Sequence, residues 1–161
     1  VMADGFPERM TPTNKTAMQI LYDNKRLGEK NGLGFYKYEK DKRGKNKKIV
    51  DETVLELLKG HIGELKEMSE AEIMSRLMVP YAMESVRCLE EGIAASPAEL
   101  DMAMIYGVGF PPFKGGIIRY IDSLGVAAFC EQASHMTDLG KLYQPTEQLL
   151  AMAANGESFY E

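Results

Sequence analysis

Tryptophan is absent from the 161 residues, and cysteine and histidine occur only twice each. Cys88 and Cys130 form no CxxC motif and are too few for a disulfide framework, so they read as reduced, buried thiols of a cytoplasmic protein. His61 and His135 lie far apart, outside HExxH or any other ligand spacing, so zinc is not expected. No apolar run approaches the ~18–20 residues of a membrane span. The opening residues Val1 to Pro7 lack the basic-then-apolar order of a signal peptide. Position 1 is not methionine, which suggests a fragment of a longer chain. Nucleotide and nucleophile signatures are missing too. No GxGxxG follows a strand, no GxxxxGK[ST] occurs, and there is no GxSxG elbow. An enzyme core that carries its own cofactor is therefore not expected.

Hydrophobic residues make up 45% and charged residues 27% of the chain. That balance is globular and excludes wholesale disorder, collagen and a pure coiled coil. At ~100–200 residues per domain the length suits one domain or two small ones. The net charge of −5 is uneven: seven of the 19 basic residues, but only two of the 24 acidic ones, lie between Lys37 and Lys48. The acidic remainder repels phosphates, so nucleic acid is not an expected partner. The basic stretch reads as a solvated turn between two short strands, or as a local contact for an anion.

Residues 1–12, with Gly5, Pro7 and Pro12, show no periodicity and read as a connecting segment. Thr13 or Asn14 is the expected cap of a helix to about Asn24, with Ala17, Met18, Ile20 and Leu21 as its apolar stripe. The Asn31–Gly34 turn leads to a strand over Phe35–Tyr38, and Lys48–Val50 is its expected partner. Asp51 is the candidate cap of a short helix carrying Val54, Leu55, Leu57 and Leu58. Gly60 and Gly63 suggest a module boundary, dividing the chain into 1–62 and 63–161.

Ser69 to Glu72 is a capping box. The helix it opens runs to about Glu91, with Ile73, Leu77, Tyr81, Val86 and Leu89 on one face. Pro80 predicts a kink within it, and Gly92 ends it. Ser96, Pro97 and Glu99 start another helix ending near Tyr106 and Gly107. Further helices are expected near Ile117–Ile121, Ser123–Met136 and Pro145–Ala154. Along the long helix Arg87 can reach both Glu84 and Glu91, and Glu72 can pair with Arg76, as solvated pairs rather than an acid–base device. The eleven methionines suit core gap-filling. The most unusual stretch is the loop Tyr106-Gly107-Val108-Gly109-Phe110-Pro111-Pro112-Phe113-Lys114-Gly115-Gly116. Such a loop can wall a ligand cleft or make a packed interdomain contact.

That loop, preceded by Arg87 to Ile93 and Ser96 to Glu99, resembles the C-terminal 3-hydroxyacyl-CoA dehydrogenase domain of multifunctional β-oxidation enzymes such as the bacterial fatty acid oxidation complex α subunit. Gly28 to Tyr36 resembles the tail of that family's first C-terminal repeat, so the likeness covers nearly the whole chain. It implies a mainly α fold, like the C-terminal domain of 6-phosphogluconate dehydrogenase, with one small β-hairpin appendage. In this picture 1–62 is the end of the first helical repeat plus the basic hairpin and linker, and 63–161 is the second repeat. The implied parent oxidises L-3-hydroxyacyl-CoA with NAD and also carries enoyl-CoA hydratase and isomerase activity. Implied partners are acyl-CoA, the parent's NAD-binding and hydratase domains, and a thiolase β subunit. The family's catalytic His–Glu pair and its Asn lie in parts this chain lacks, as does the NAD-binding domain, so no cofactor is expected here. One site residue carries over, Tyr106, with a substrate-binding role.

Overall fold

The computed structural model describes residues 2–12, 14–61 and 66–160. It is mainly helical with one antiparallel hairpin. The chain forms two compact units, one spanning 11–67, the other combining 2–10 with the residues from 68 onward.

The smaller unit begins with α3 (Ala17–Asp23), which follows two one-turn helices of the other unit, α1 (Met2–Gly5) and α2 (Pro7–Met10). Thr16 caps α3, accepting the Gln19 N–H at 3.2 Å. The cap is thus neither expected residue: Asn14 lies outside the helix, and Thr13 lies outside the described residues. Ile20 and Leu21 are buried against Val54 and Leu58 of α4 (Thr53–Lys59). Met18 and Leu55, expected in the core, are exposed, because so small a core covers only one face of each short helix. The hairpin pairs β1 (Tyr36–Lys40) with β2 (Asn46–Val50), Tyr36 opposite Val50. At its turn the Asp41 carboxylate accepts the Arg43 and Lys45 N–H groups at 2.7 and 2.9 Å. The basic residues of this hairpin are exposed, as a solvated turn requires. Asp51 caps the start of α4 as expected, one residue ahead of Glu52: its carboxylate accepts the Thr53 N–H at 3.2 Å and the Thr53 hydroxyl, and it is also a buried hub that pairs with Arg26.

The larger unit is built around α5 (Glu70–Glu90). Ser69 and Glu72 close the expected capping box. Pro80 leaves the Arg76 carbonyl without its helical donor. The Tyr143 hydroxyl donates to that carbonyl at 3.1 Å, and the helix runs on unbroken. Val79, Ala82, Met83 and Val86 form the buried face, while Ile73 and Leu77, expected with them, are exposed. These two stand in the first half of the helix, ahead of the part the unit covers. Gly92 ends α5 at φ +70°.

Against α5 pack α6 (Pro97–Val108), α7 (Ile117–Leu124), α8 (Val126–Ser134) and a 3-10 turn (Lys141–Tyr143). Packed on α8 is α9 (Glu147–Asn155), capped by Thr146, so Pro145 stays outside it. The two helices expected over Ile117–Ile121 and Ser123–Met136 are both present, but they part at Gly125, whose φ of +84° breaks the run, so Ser123 and Leu124 belong to α7 and α8 ends at Ser134.

Residues 2–10 are not a mere connector. Arg9 donates to Glu84 through Nε at 3.0 Å and Nη2 at 2.8 Å, and reaches Glu91 at 3.4 Å. Glu91 is therefore taken by Arg9 rather than Arg87. Arg87 keeps Glu84 at 3.4 Å and donates to the Lys141 and Gln144 carbonyls. Glu72 bonds Ser69, and Arg76 turns to the Met68 sulfur instead.

Candidate functional site

The Tyr106 loop is held from both ends. On its N-terminal side Ser96 accepts the Glu99 N–H, Pro97 takes the first turn, and α6 ends on Gly109 at φ +75°. Every position of α6 after Asp101 is apolar or glycine. A helix with apolar residues on all sides is ordinarily buried on all sides. Here Leu100 is buried and Met104 and Ile105 are partly buried, while Met102 and Tyr106, one turn apart, face outward.

Within the loop the two phenylalanines part ways. Phe110 is buried and packs its ring 6.0 Å from that of Tyr81. Phe113, in a 3-10 turn over Pro112–Lys114, is 84% exposed. The Lys114 ammonium lies between rings, 5.8 Å from Phe113 and 5.7 Å from Tyr120. Such contacts are weak at exposed sites but orient the side chain.

The loop's exit is fixed by Asp101, a residue that local patterning did not single out. Its buried carboxylate accepts the N–H groups of Ile118 and Arg119 at 2.7 and 3.1 Å, so it caps α7 from another helix. It also accepts the Tyr160 hydroxyl at 2.7 Å. Gly116 lies so close that a Cβ there would stand 2.1 Å from the Asp101 Cγ, and its φ of +124° further favours glycine. The Arg119 guanidinium covers the Tyr160 ring at 3.5 Å, and Asp122 accepts the Phe159 and Tyr160 N–H groups. Burial, and next the Asp101 carboxylate, push the Tyr160 phenol far above its usual range. One signal in the sequence marks Asp101: it is the only charged residue between Glu99 and Lys114.

Tyr106 itself is 81% exposed on the last turn of α6, and among the described residues its hydroxyl has no hydrogen-bond partner. It offers a flat ring and one donor at the mouth of a rigid loop, which suits binding rather than proton transfer. Burial pushes both cysteine thiols up, Glu84 and Glu91 adding to the effect at Cys88, which disfavours the thiolate. Both are free, Cys88 half-buried and Cys130 buried. No group of three or more metal-ligating side chains exists among the described residues, and no described helix is long and apolar enough to cross a membrane.

Residues 73–158 match the family described as "3-hydroxyacyl-CoA dehydrogenase, C-terminal domain". The chain is 55% identical, over 99% of its length, to the fatty acid oxidation complex subunit alpha of Pseudomonas syringae pv. syringae (strain B728a), and spans 22% of that protein. The corresponding subunit of Pseudomonas putida (strain GB-1) is 53% identical over the same share of each. Among solved structures, the dehydrogenase part of multifunctional enzyme 1 from C. elegans superposes with a TM-score of 0.62 at 21% identity, covering 93% of this chain and 34% of that one. M. tuberculosis FadB2 gives a TM-score of 0.51 at 24% identity, covering 68% and 40%. The likeness to these two structures extends the helical fold beyond the matched residues. By sequence and by fold, the chain belongs to the family of 3-hydroxyacyl-CoA dehydrogenase C-terminal domains.

Proposed function

We propose that this chain is the helical C-terminal part of an NAD-dependent L-3-hydroxyacyl-CoA dehydrogenase of fatty acid β-oxidation, within a parent that also carries enoyl-CoA hydratase and isomerase activity. On this reading 1–62 closes the first helical repeat and 63–161 is the second. The parent works in the cytoplasm beside a thiolase β subunit. The observation that carries the reading is Tyr106, exposed and without a partner at the end of an apolar helix whose loop is clamped by Asp101. The phenol supplies part of an acyl-CoA binding wall that other domains complete.

The described residues do not fit NAD as a hydride acceptor. Their one sheet is an antiparallel hairpin, with no parallel strand running into a helix N-terminus to cradle a pyrophosphate. The cofactor belongs to another domain of the parent, and the isolated chain does not turn over 3-hydroxyacyl-CoA. Robust NAD reduction by the purified 161-residue chain would refute this.

In the full parent, Tyr106→Phe removes one neutral hydrogen bond and weakens acyl-CoA binding by about 0.5–1.5 kcal/mol. Tyr106→Ala removes the ring as well and costs more. Steady-state kinetics check both, and an unchanged KM and kcat/KM in both would end the substrate role. The outward apolar face of α6 favours a second reading, a structural docking module. In that case both variants keep their kinetics but weaken assembly of the parent.

A further inference from the structure

The Asp101 carboxylate carries more bonds than capping α7 requires. Gly116, at the N-cap of α7, has no side chain to offer the first turn, and Asp101 stands in for it. Its Oδ1 accepts the Ile118 N–H at 2.7 Å and its Oδ2 the Arg119 N–H at 3.1 Å. The third donor comes from 59 positions away: the Tyr160 hydroxyl donates to Oδ2 at 2.7 Å. That bond ties residues 158–160 to α6, the helix whose last turn presents Tyr106.

Tyr160 is itself held firmly. Asp122 of α7 accepts its N–H at 2.9 Å and that of Phe159 at 3.0 Å, and the Ser158 hydroxyl donates to its carbonyl at 2.5 Å. Arg119 grips both partners, since its N–H meets Asp101 while its guanidinium lies over the Tyr160 ring. The phenol, pushed far above its usual range, stays protonated and therefore a donor. The stretch is thus a strut running from α7 to α6. The loop that it braces has short-range bonds of its own: the Phe110 N–H to the Met104 carbonyl, the Lys114 N–H to Pro111 and the Gly115 N–H to Pro112. Within 107–116 only Phe110 and Gly116 are buried, and Gly116 rests on Asp101. One of the loop's two inward anchors is therefore the residue that Tyr160 pins.

We propose that Tyr160 is a positioning residue for substrate: through Asp101 it holds the last turn of α6 and the exit of the 107–116 loop in place, so that Tyr106 meets acyl-CoA at a fixed position. The proposal rests on the reading of Tyr106 as part of an acyl-CoA wall. Tyr160 touches no reacting group. Without its hydroxyl the two backbone bonds still cap α7 and the fold survives, but one edge of the carboxylate is unpinned. The loss then falls on binding rather than on turnover of bound substrate.

The test uses the full parent. Tyr160→Phe removes the hydroxyl and keeps the ring beneath Arg119. KM for a 3-hydroxyacyl-CoA is expected to rise about fivefold, with kcat changed less than about twofold. In a Tyr106→Ala background the same change should add less than about twofold, because the residue being positioned is gone. Hydrogen exchange of the parent, followed by mass spectrometry, should quicken across 107–116 while α8 keeps its protection. Circular dichroism checks that each variant is folded. An unchanged KM in Tyr160→Phe, or the same fold-change with and without the Tyr106 ring, would overturn the proposal. So would a lowered melting temperature with exchange across 107–116 unaltered, which marks a purely structural bond. If Tyr106→Ala alone leaves KM unchanged, the acyl-CoA wall fails and the positioning role with it. If Tyr106→Ala raises KM and Tyr160→Phe does not, the wall stands and the positioning role alone falls.

Discussion

Asp101 joins three parts of the chain through one carboxylate: α6, the first turn of α7 and the tail at Tyr160. Hydrogen bonds to a charged acceptor are worth more than neutral ones, and burial makes their loss costly. Asp101→Ala should destabilise the larger unit by about 2–4 kcal/mol. Asp101→Asn, which keeps the shape and one acceptor oxygen, should cost less, and urea unfolding followed by circular dichroism will rank the two. Asp51 gives the smaller unit a pH limit. The Arg26 hydrogen bond first, then Thr53 and nearby Lys37, hold its carboxyl well below the usual carboxylate range. An unfolded aspartate titrates near about 3.9. The stabilisation is therefore complete above that pH and is lost as the pH falls toward the folded value. Melting temperatures recorded between about pH 6 and pH 2 should fall more steeply for the native chain than for Asp51→Asn. Local patterning shows nothing of Asp101, whose partners lie 17 to 59 residues away, and of Asp51 only the bond to Thr53, since its pair with Arg26 spans 25 positions.

Helix starts written into adjacent residues were legible. The Ser69 box and the Ser96–Pro97–Glu99 start depend on groups within a few positions of one another, and both stand where the sequence puts them. Helix interiors were less so. The apolar side chains of Ile73 and Leu77 do not say whether an element lies opposite them, and none buries them. Glycines divide in the same way. Gly116→Ala would drive a methyl group into Asp101 at a positive φ, and the larger unit should lose more than about 3 kcal/mol or fail to fold. Gly107, helical with open space around it, should accept alanine with a gain of up to about 1 kcal/mol. Thermal melts of the two variants make the comparison. In the hairpin, Lys40→Glu, Lys42→Glu and Lys45→Glu should each change stability by no more than about 0.5 kcal/mol, because exposed side chains have few contacts to lose. Lys37→Glu should cost more in the same melts, since Lys37 lies 3.6 Å from the Asp51 carboxylate.

Across the whole molecule, composition already separated a basic stretch from an acidic remainder, and that stretch lies wholly within the smaller unit. The mainly helical class and the family likeness were legible because the motifs at Gly28–Tyr36 and Tyr106–Gly116 survive as contiguous runs. The larger unit's reach back to residues 2–10 was not, since Arg9 meets Glu84 across 75 positions and no periodicity announces such a contact. That contact closes a ring in the chain, of which the residues of the smaller unit form a part. Closing a flexible ring of that length costs about 4 kcal/mol of chain entropy. The arginine's fork must offset this before any docking of the segment becomes net favourable. Once the smaller unit has folded and shortened the path, the cost falls. Folding of the smaller unit therefore lowers the entropy cost of bringing Arg9 to its glutamates.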